Sequence, residues 1–113
     1  MNKERTMEEM FSEFLMIYKF INHSQIVETL RNELDDDASN KKKIYELSDG
    51  ARSTRDIQKI VAISPPTITA YWKQWALSGI VIRTEKKGRF KAVFDLKEYG
   101  LSVLDGIEQG DEE

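Results

Sequence analysis

Arg83, Lys86, Lys87, Arg89 and Lys91 place five cations in nine consecutive residues, gathered around Gly88 with a single acid, Glu85, among them. At neutral pH such a cluster can do one kind of chemistry, the binding of anions. Two further basic groups, Arg52 and Arg55, flank Ser53, a residue type that starts helices, and a helix start itself favours a phosphate. Lys41, Lys42 and Lys43 form a third cluster, at the expected beginning of another helix, where three cations oppose the helix dipole unless an anion or acid offsets them.

Other chemistry finds few residues to carry it. The 113-residue chain has no cysteine, which rules out disulfides, thiolate metal sites and thiol nucleophiles. Its one histidine, His23, stands alone at a break between two helical patterns and suits a turn or interface better than a ligand or base. The acidic run Asp35–Asp37 lacks the spacing of a calcium loop and fits a solvated linker. No nucleophile–base pair, metal cluster or phosphate loop is visible, so neither catalysis, a metal nor a cofactor is expected.

Charge is unevenly spread. Net charge is −3, but residues 1–40 carry −5, residues 41–94 carry +8 and residues 95–113 carry −6. A basic middle between acidic ends points to an anionic partner for the middle alone. The N-terminus has no apolar core of a secretory signal, and the run Phe14–Tyr18 is far too short for a membrane span. A cytoplasmic protein without a membrane partner is the expectation.

The elements that must position these groups follow from periodicity. Met7, Met10, Phe11, Phe14, Ile17, Tyr18 and Ile21 recur at three- and four-residue spacing, an amphipathic helix, with Leu15, Met16 and Phe20 widening its stripe. Ser24 is placed to cap a second helix through Ile26, Val27, Leu30 and Leu34, after which the polar stretch 35–40 marks a boundary. A short helix carries Ile44, Tyr45 and Leu47. Ser53 caps the next, with Ile57, Ile60 and Val61 turned inward.

Ser64 caps a longer helix whose first two positions are Pro65 and Pro66. Proline inside a helix costs about 3 kcal/mol, but in the first turn its missing N–H has no partner to lose. Tyr71 and Trp75 are expected in the core, with Trp72 the more exposed, and Gly79 suits a left-handed stop. Residues 80–85 and 89–96 then read as two strands joined at Lys86–Gly88, and residues 97–109 as a last helix weakened by Gly100 and Gly106.

The fold class is therefore mainly α with a small antiparallel β-hairpin. The run "STRDIQKIVAISPPTITAYWKQWALSGIV", followed by "FDLKEYGLSVL", resembles the winged helix-turn-helix regulators of the MarR, PadR and ArsR kind, over about Lys41 to Leu104. Together with the elements read above, the resemblance divides the chain into an N-terminal helical segment for dimerisation (1–38), a DNA-binding winged helix-turn-helix (39–96), and a C-terminal helix with an acidic tail (97–113). It implies a recognition helix at 64–78 in the major groove and a wing at 83–91 on the backbone or in the minor groove. Double-stranded DNA is then the partner and regulation of transcription the function.

The expected DNA-contact residues are Arg52, Ser53, Arg55, Ser64, Pro65, Pro66, Thr67, Thr69, Ala70, Lys73, Arg83, Lys86, Lys87, Arg89 and Lys91. Relatives often carry a polar base reader where this chain has Ala70. No arginine, asparagine or glutamine occupies the first two turns, so base discrimination is expected to be modest. Met7, Met10, Phe11, Phe14, Ile17, Tyr18 and Ile21 exceed what a small domain can cover, which points to a homodimer. Two alternatives stand beside these expectations: packing of the two terminal helices on one another, and a winged helix that docks on protein within a larger complex.

Overall fold

The computed structural model describes residues 6–36 and 39–104. These form five α-helices and a two-stranded antiparallel sheet, an α+β arrangement dominated by helix. Two compact units divide the chain, Met1–Arg31 and Asn32–Glu113, so the division falls inside the second helix.

The first unit holds α1 (Met7–Ile21) and the beginning of α2 (His23–Leu34). Thr6 and Glu9 start α1 with a reciprocal capping box: the Thr6 hydroxyl accepts the Glu9 N–H and the Glu9 carboxylate accepts the Thr6 N–H. The break between the helices is Asn22 alone, whose side-chain amide donates to the Tyr18 carbonyl. The second helix thus starts at His23, ahead of the expected Ser24 cap. No residue of α1 is buried.

The second unit contains the end of α2, α3 (Asn40–Leu47), α4 (Thr54–Val61), α5 (Pro65–Ser78), β1 (Val81–Arg83) and β2 (Phe90–Ala92). Ser64 and the two prolines start α5 as the sequence predicts, with Pro65 and Pro66 in the first turn. Gly79 ends it at φ 84°, a left-handed conformation that costs glycine nothing. The turn from α4 into α5 passes through Ala62, also left-handed at φ 60°. An alanine there stores strain that glycine would not.

The core is built from Ile44, Tyr45 and Leu47 of α3, Ile57 of α4, Ile68, Trp72 and Trp75 of α5, and Ile80, Val81, Phe90 and Leu96 around the hairpin. Trp72 corrects the expectation that it would be the exposed aromatic. It is 1% exposed, tilted against Phe90 at 5.2 Å between ring centroids, while Tyr71 lies half-buried and stacked on Trp75. The indole N–H of Trp72 donates to the Ser48 hydroxyl at 2.8 Å, and that hydroxyl donates to the Ile44 carbonyl. A polar partner waiting in the core is what allows this tryptophan to be fully covered. Ile60 also departs from expectation. It is mostly exposed, because α4 is short and only Ile57 reaches the core.

The strands are shorter than the alternation predicted, three residues each, paired Val81 with Ala92 and Arg83 with Phe90. A contribution not visible in the sequence is the segment Ser48–Gly50, which lies along the other edge of β2. There the Gly50 N–H donates to the Phe90 carbonyl and the Ala92 N–H to the Ser48 carbonyl. Gly50 is required at this crossing: φ is 85°, and a Cβ would stand 3.1 Å from the Thr84 methyl.

The last helix expected over residues 97–109 is not formed in its described part. Leu96–Tyr99 make a short 3-10 turn capped by Asp95, Gly100 stops it in a left-handed conformation, and residues 101–104 run on without helix. The Glu46 carboxylate accepts the Val103 and Leu104 N–H groups, so backbone donors that a helix would use internally are taken by a side chain of α3. Residues 105–113, which include the acidic tail, lie outside the described residues.

The Trp72–Ser48 bond gives a test. Ser48→Ala leaves a buried indole N–H without a partner, a loss of about 1–3 kcal/mol. Urea unfolding should show that loss. In a double-mutant cycle, Trp72→Phe should cost less in the Ser48→Ala background than in the parent, and equal costs would disprove the coupling.

Candidate functional site

The α5 helix ends and reverses through Gly79 into β1, so the middle of α5 and the hairpin lie against one another. Between them is a concavity of about 280 Å³ lined by Lys73, Arg83, Thr84, Lys86, Lys87, Gly88, Arg89 and Phe90. Five of these eight are cationic. Lys73 comes from α5 and the other four from the hairpin, so a helix residue and a strand–turn cluster, well separated in sequence, form one basic cup.

The wall of the cup is fixed by bonds within the hairpin and by one to the loop before α4. The Thr84 hydroxyl donates to the Lys86 carbonyl at 3.1 Å and the Thr84 N–H to the Arg89 carbonyl at 3.2 Å, closing the turn. The Arg83 guanidinium lies over the Phe90 ring, 5.5 Å from its centre. Arg89 Nε donates to the Ala51 carbonyl at 3.1 Å, which ties the hairpin to the α3–α4 connection. Thr84 and Phe90 were not among the expected site residues. The signal was present only in the strand register, which sets Phe90 opposite Arg83.

Other expected residues lie elsewhere. On α5, Pro66 and Ala70 are exposed, and Pro65, Thr67 and Thr69 half-buried. The exposed Ser64 hydroxyl shares a hydrogen bond with the Thr67 hydroxyl at 3.0 Å rather than accepting a helix N–H. Arg55 is exposed in the first turn of α4, and Lys91 is exposed on β2. Neither lines the cup.

Arg52 and Ser53 are engaged by their own loop. Asp49 gathers the N–H groups of Ala51 and Arg52, both at 2.9 Å, and pairs with the Arg52 guanidinium at 3.2 Å. Arg52 also reaches the Leu47 carbonyl. Ser53 and Asp56 form a capping box, the Ser53 N–H donating to the Asp56 carboxylate and the Asp56 N–H to the Ser53 hydroxyl. The sequence signal for that box was acidic Asp56 three residues after Ser53.

The lysine cluster at 41–43 is half-buried at the start of α3. The Asp36 carboxylate accepts the Lys41 N–H at 3.2 Å, so an acid of the chain itself sits at that helix start. Lys41 Nζ lies over the Tyr71 ring at 5.4 Å. Packing thus accounts for Lys41 without an external anion. No group of three or more metal-ligating side chains occurs among the described residues. No described helix is long and apolar enough to cross a membrane.

No protein-family profile, no curated protein and no solved structure matches this chain.

Two exposed aspartates around the start of α4 have carboxyls held below the ordinary aspartate value. Burial works against the charge of Asp49, but the N–H groups of Arg52 and Ala51 and the Arg52 charge outweigh it, and its carboxyl is held below the ordinary value of 3.8. Asp56 is lowered likewise by the Ser53 N–H and hydroxyl. Each binds protons less readily folded than unfolded, so its stabilisation is complete above the ordinary aspartate value and lost as pH falls through the lowered one. Unfolding midpoints measured from pH 6 down to pH 2 should fall accordingly. Asp49→Asn should flatten part of that fall, and an unchanged profile would refute the assignment.

Proposed function

We propose that this chain is a winged helix-turn-helix protein that binds double-stranded DNA, as a homodimeric regulator of transcription in the cytoplasm. In this reading α5 is the recognition helix and the β1–β2 hairpin is the wing. The basic cup is the observation that carries it. Lys73 on the helix and four cations on the hairpin converge there, an arrangement suited to one backbone strand running between the two elements. Phosphates would supply most of the affinity. Pro66 and Ala70, the exposed residues at the start of α5, offer bases only apolar contacts, so discrimination among sequences would be modest. No catalytic step is assigned.

That apolar leading face also suits a second reading, a winged helix that docks on another protein. The two readings differ in salt dependence. Duplex affinity should fall steeply between low and moderate salt, because bound phosphates release counterions. Lys86→Ala with Lys87→Ala removes two exposed cations and should weaken binding to all duplexes alike. It should reduce the slope of log affinity against log salt by about 2 for each subunit engaged, at roughly 0.9 per phosphate. An unchanged slope, or no binding to any duplex at low salt, would overturn the DNA reading in favour of the protein-docking one.

A further inference from the structure

The apolar face of α1 has no use in the site above, and its side chains are exposed along the helix. Phe14 is 63% exposed, Met7 76% and Ile21 71%. Exposed apolar surface of this extent on one element marks an interface.

A membrane fits it badly. Fifteen residues of helix span about 22 Å, short of a hydrocarbon core of about 30 Å. Helices that lie on a membrane surface carry lysine and arginine opposite their apolar face, whereas the charged residues of α1 are Glu8, Glu9, Glu13 and a single lysine, Lys19.

A second copy of the same helix fits it well. The seven stripe positions are symmetric about Phe14: Met7 and Ile21 lie equally far from it, as do Met10 and Tyr18, and Phe11 and Ile17. A two-fold axis through Phe14 and perpendicular to the helix would lay the stripe on its own reverse over its whole length, as an isologous contact requires.

Charge selects the reversed orientation. The glutamates sit in the first half of α1 and Lys19 in its last turn. Reversal brings the lysine end of each helix to the glutamate end of the other and opposes the helix dipoles, while a parallel pair would set glutamates beside glutamates.

We propose that α1 pairs with α1 of a second copy of this chain, antiparallel and centred on Phe14. The proposal rests on the homodimeric reading above but not on DNA binding. Two short helices bury less than the roughly 800 Å² per partner of a standard interface, so the dimer should be concentration-dependent in the micromolar range.

The absence of cysteine makes orientation directly measurable. Three single variants of the full chain, Met7→Cys, Phe14→Cys and Ile21→Cys, would be oxidised at tens of micromolar and read by mass. All three positions are exposed, so substitution leaves the buried core untouched. Phe14→Cys should cross-link to itself. Met7→Cys and Ile21→Cys should each cross-link poorly alone and efficiently when mixed. Self-linking of Met7→Cys and Ile21→Cys, with no preference for the mixed product, would overturn the antiparallel arrangement. A monomeric mass by light scattering at the same concentration, without cross-links, would overturn the pairing altogether. Duplex titration of the uncross-linked parent reports on DNA binding separately, so failure of either idea is distinguishable from failure of the other.

Discussion

One buried hydroxyl ties both ends of the hairpin to the helical core. Tyr45 on α3 donates to the Ile80 carbonyl at 2.8 Å and accepts the Phe94 N–H at 3.1 Å, so it touches the chain just before β1 and just after β2. Burial pushes its ionisation far above the ordinary tyrosine value, which keeps the proton that the Ile80 carbonyl needs. Its ring meets Trp75 edge to face at 5.6 Å. One side chain thereby fixes both ends of a two-stranded element that would be marginal by itself.

The placement of the cations depends on that anchorage. Strands of three residues have few ladder bonds, and the turn between them carries like charges that repel. Such a turn stays in place because it is held from several sides: by Tyr45 at its base, by Ser48–Gly50 along the edge of β2, and by Arg89 on the Ala51 carbonyl. Arg89 is therefore a strut as well as a charge. Removing it would test position and electrostatics together, whereas Lys86 and Lys87 are exposed and separate the two.

Much of the fold was legible in the sequence. The Ser53 cap, the prolines in the first turn of α5, Gly79 and the apolar spacing of α3 and α5 are local signals, and the structure realises each of them, whereas Ser64 holds its N-cap position without a side-chain cap bond and α2 starts ahead of Ser24. The misreadings share one cause. Trp72 and the segment after Tyr99 were decided by partners distant in sequence, the Ser48 hydroxyl and the Glu46 carboxylate that takes the Val103 and Leu104 N–H groups, and Ile60 was left exposed because nothing packs opposite it. Periodicity describes a face but not what waits opposite it.

The candidate site divides in the same way. The sequence by itself determined that a basic middle segment exists, that its cations cluster near Gly88, and that the start of α5 carries no bidentate base reader, because residue types and local charge need no fold to be counted. Only the tertiary structure decided which cations act together. It joined Lys73 to Arg83, Lys86, Lys87 and Arg89 across the α5–hairpin junction, and it turned Arg52 and Ser53 inward to their own loop. The physical reason is the range of the forces. Capping and helical spacing act over a few residues, but the cup is set by core packing and by backbone bonds between segments tens of residues apart.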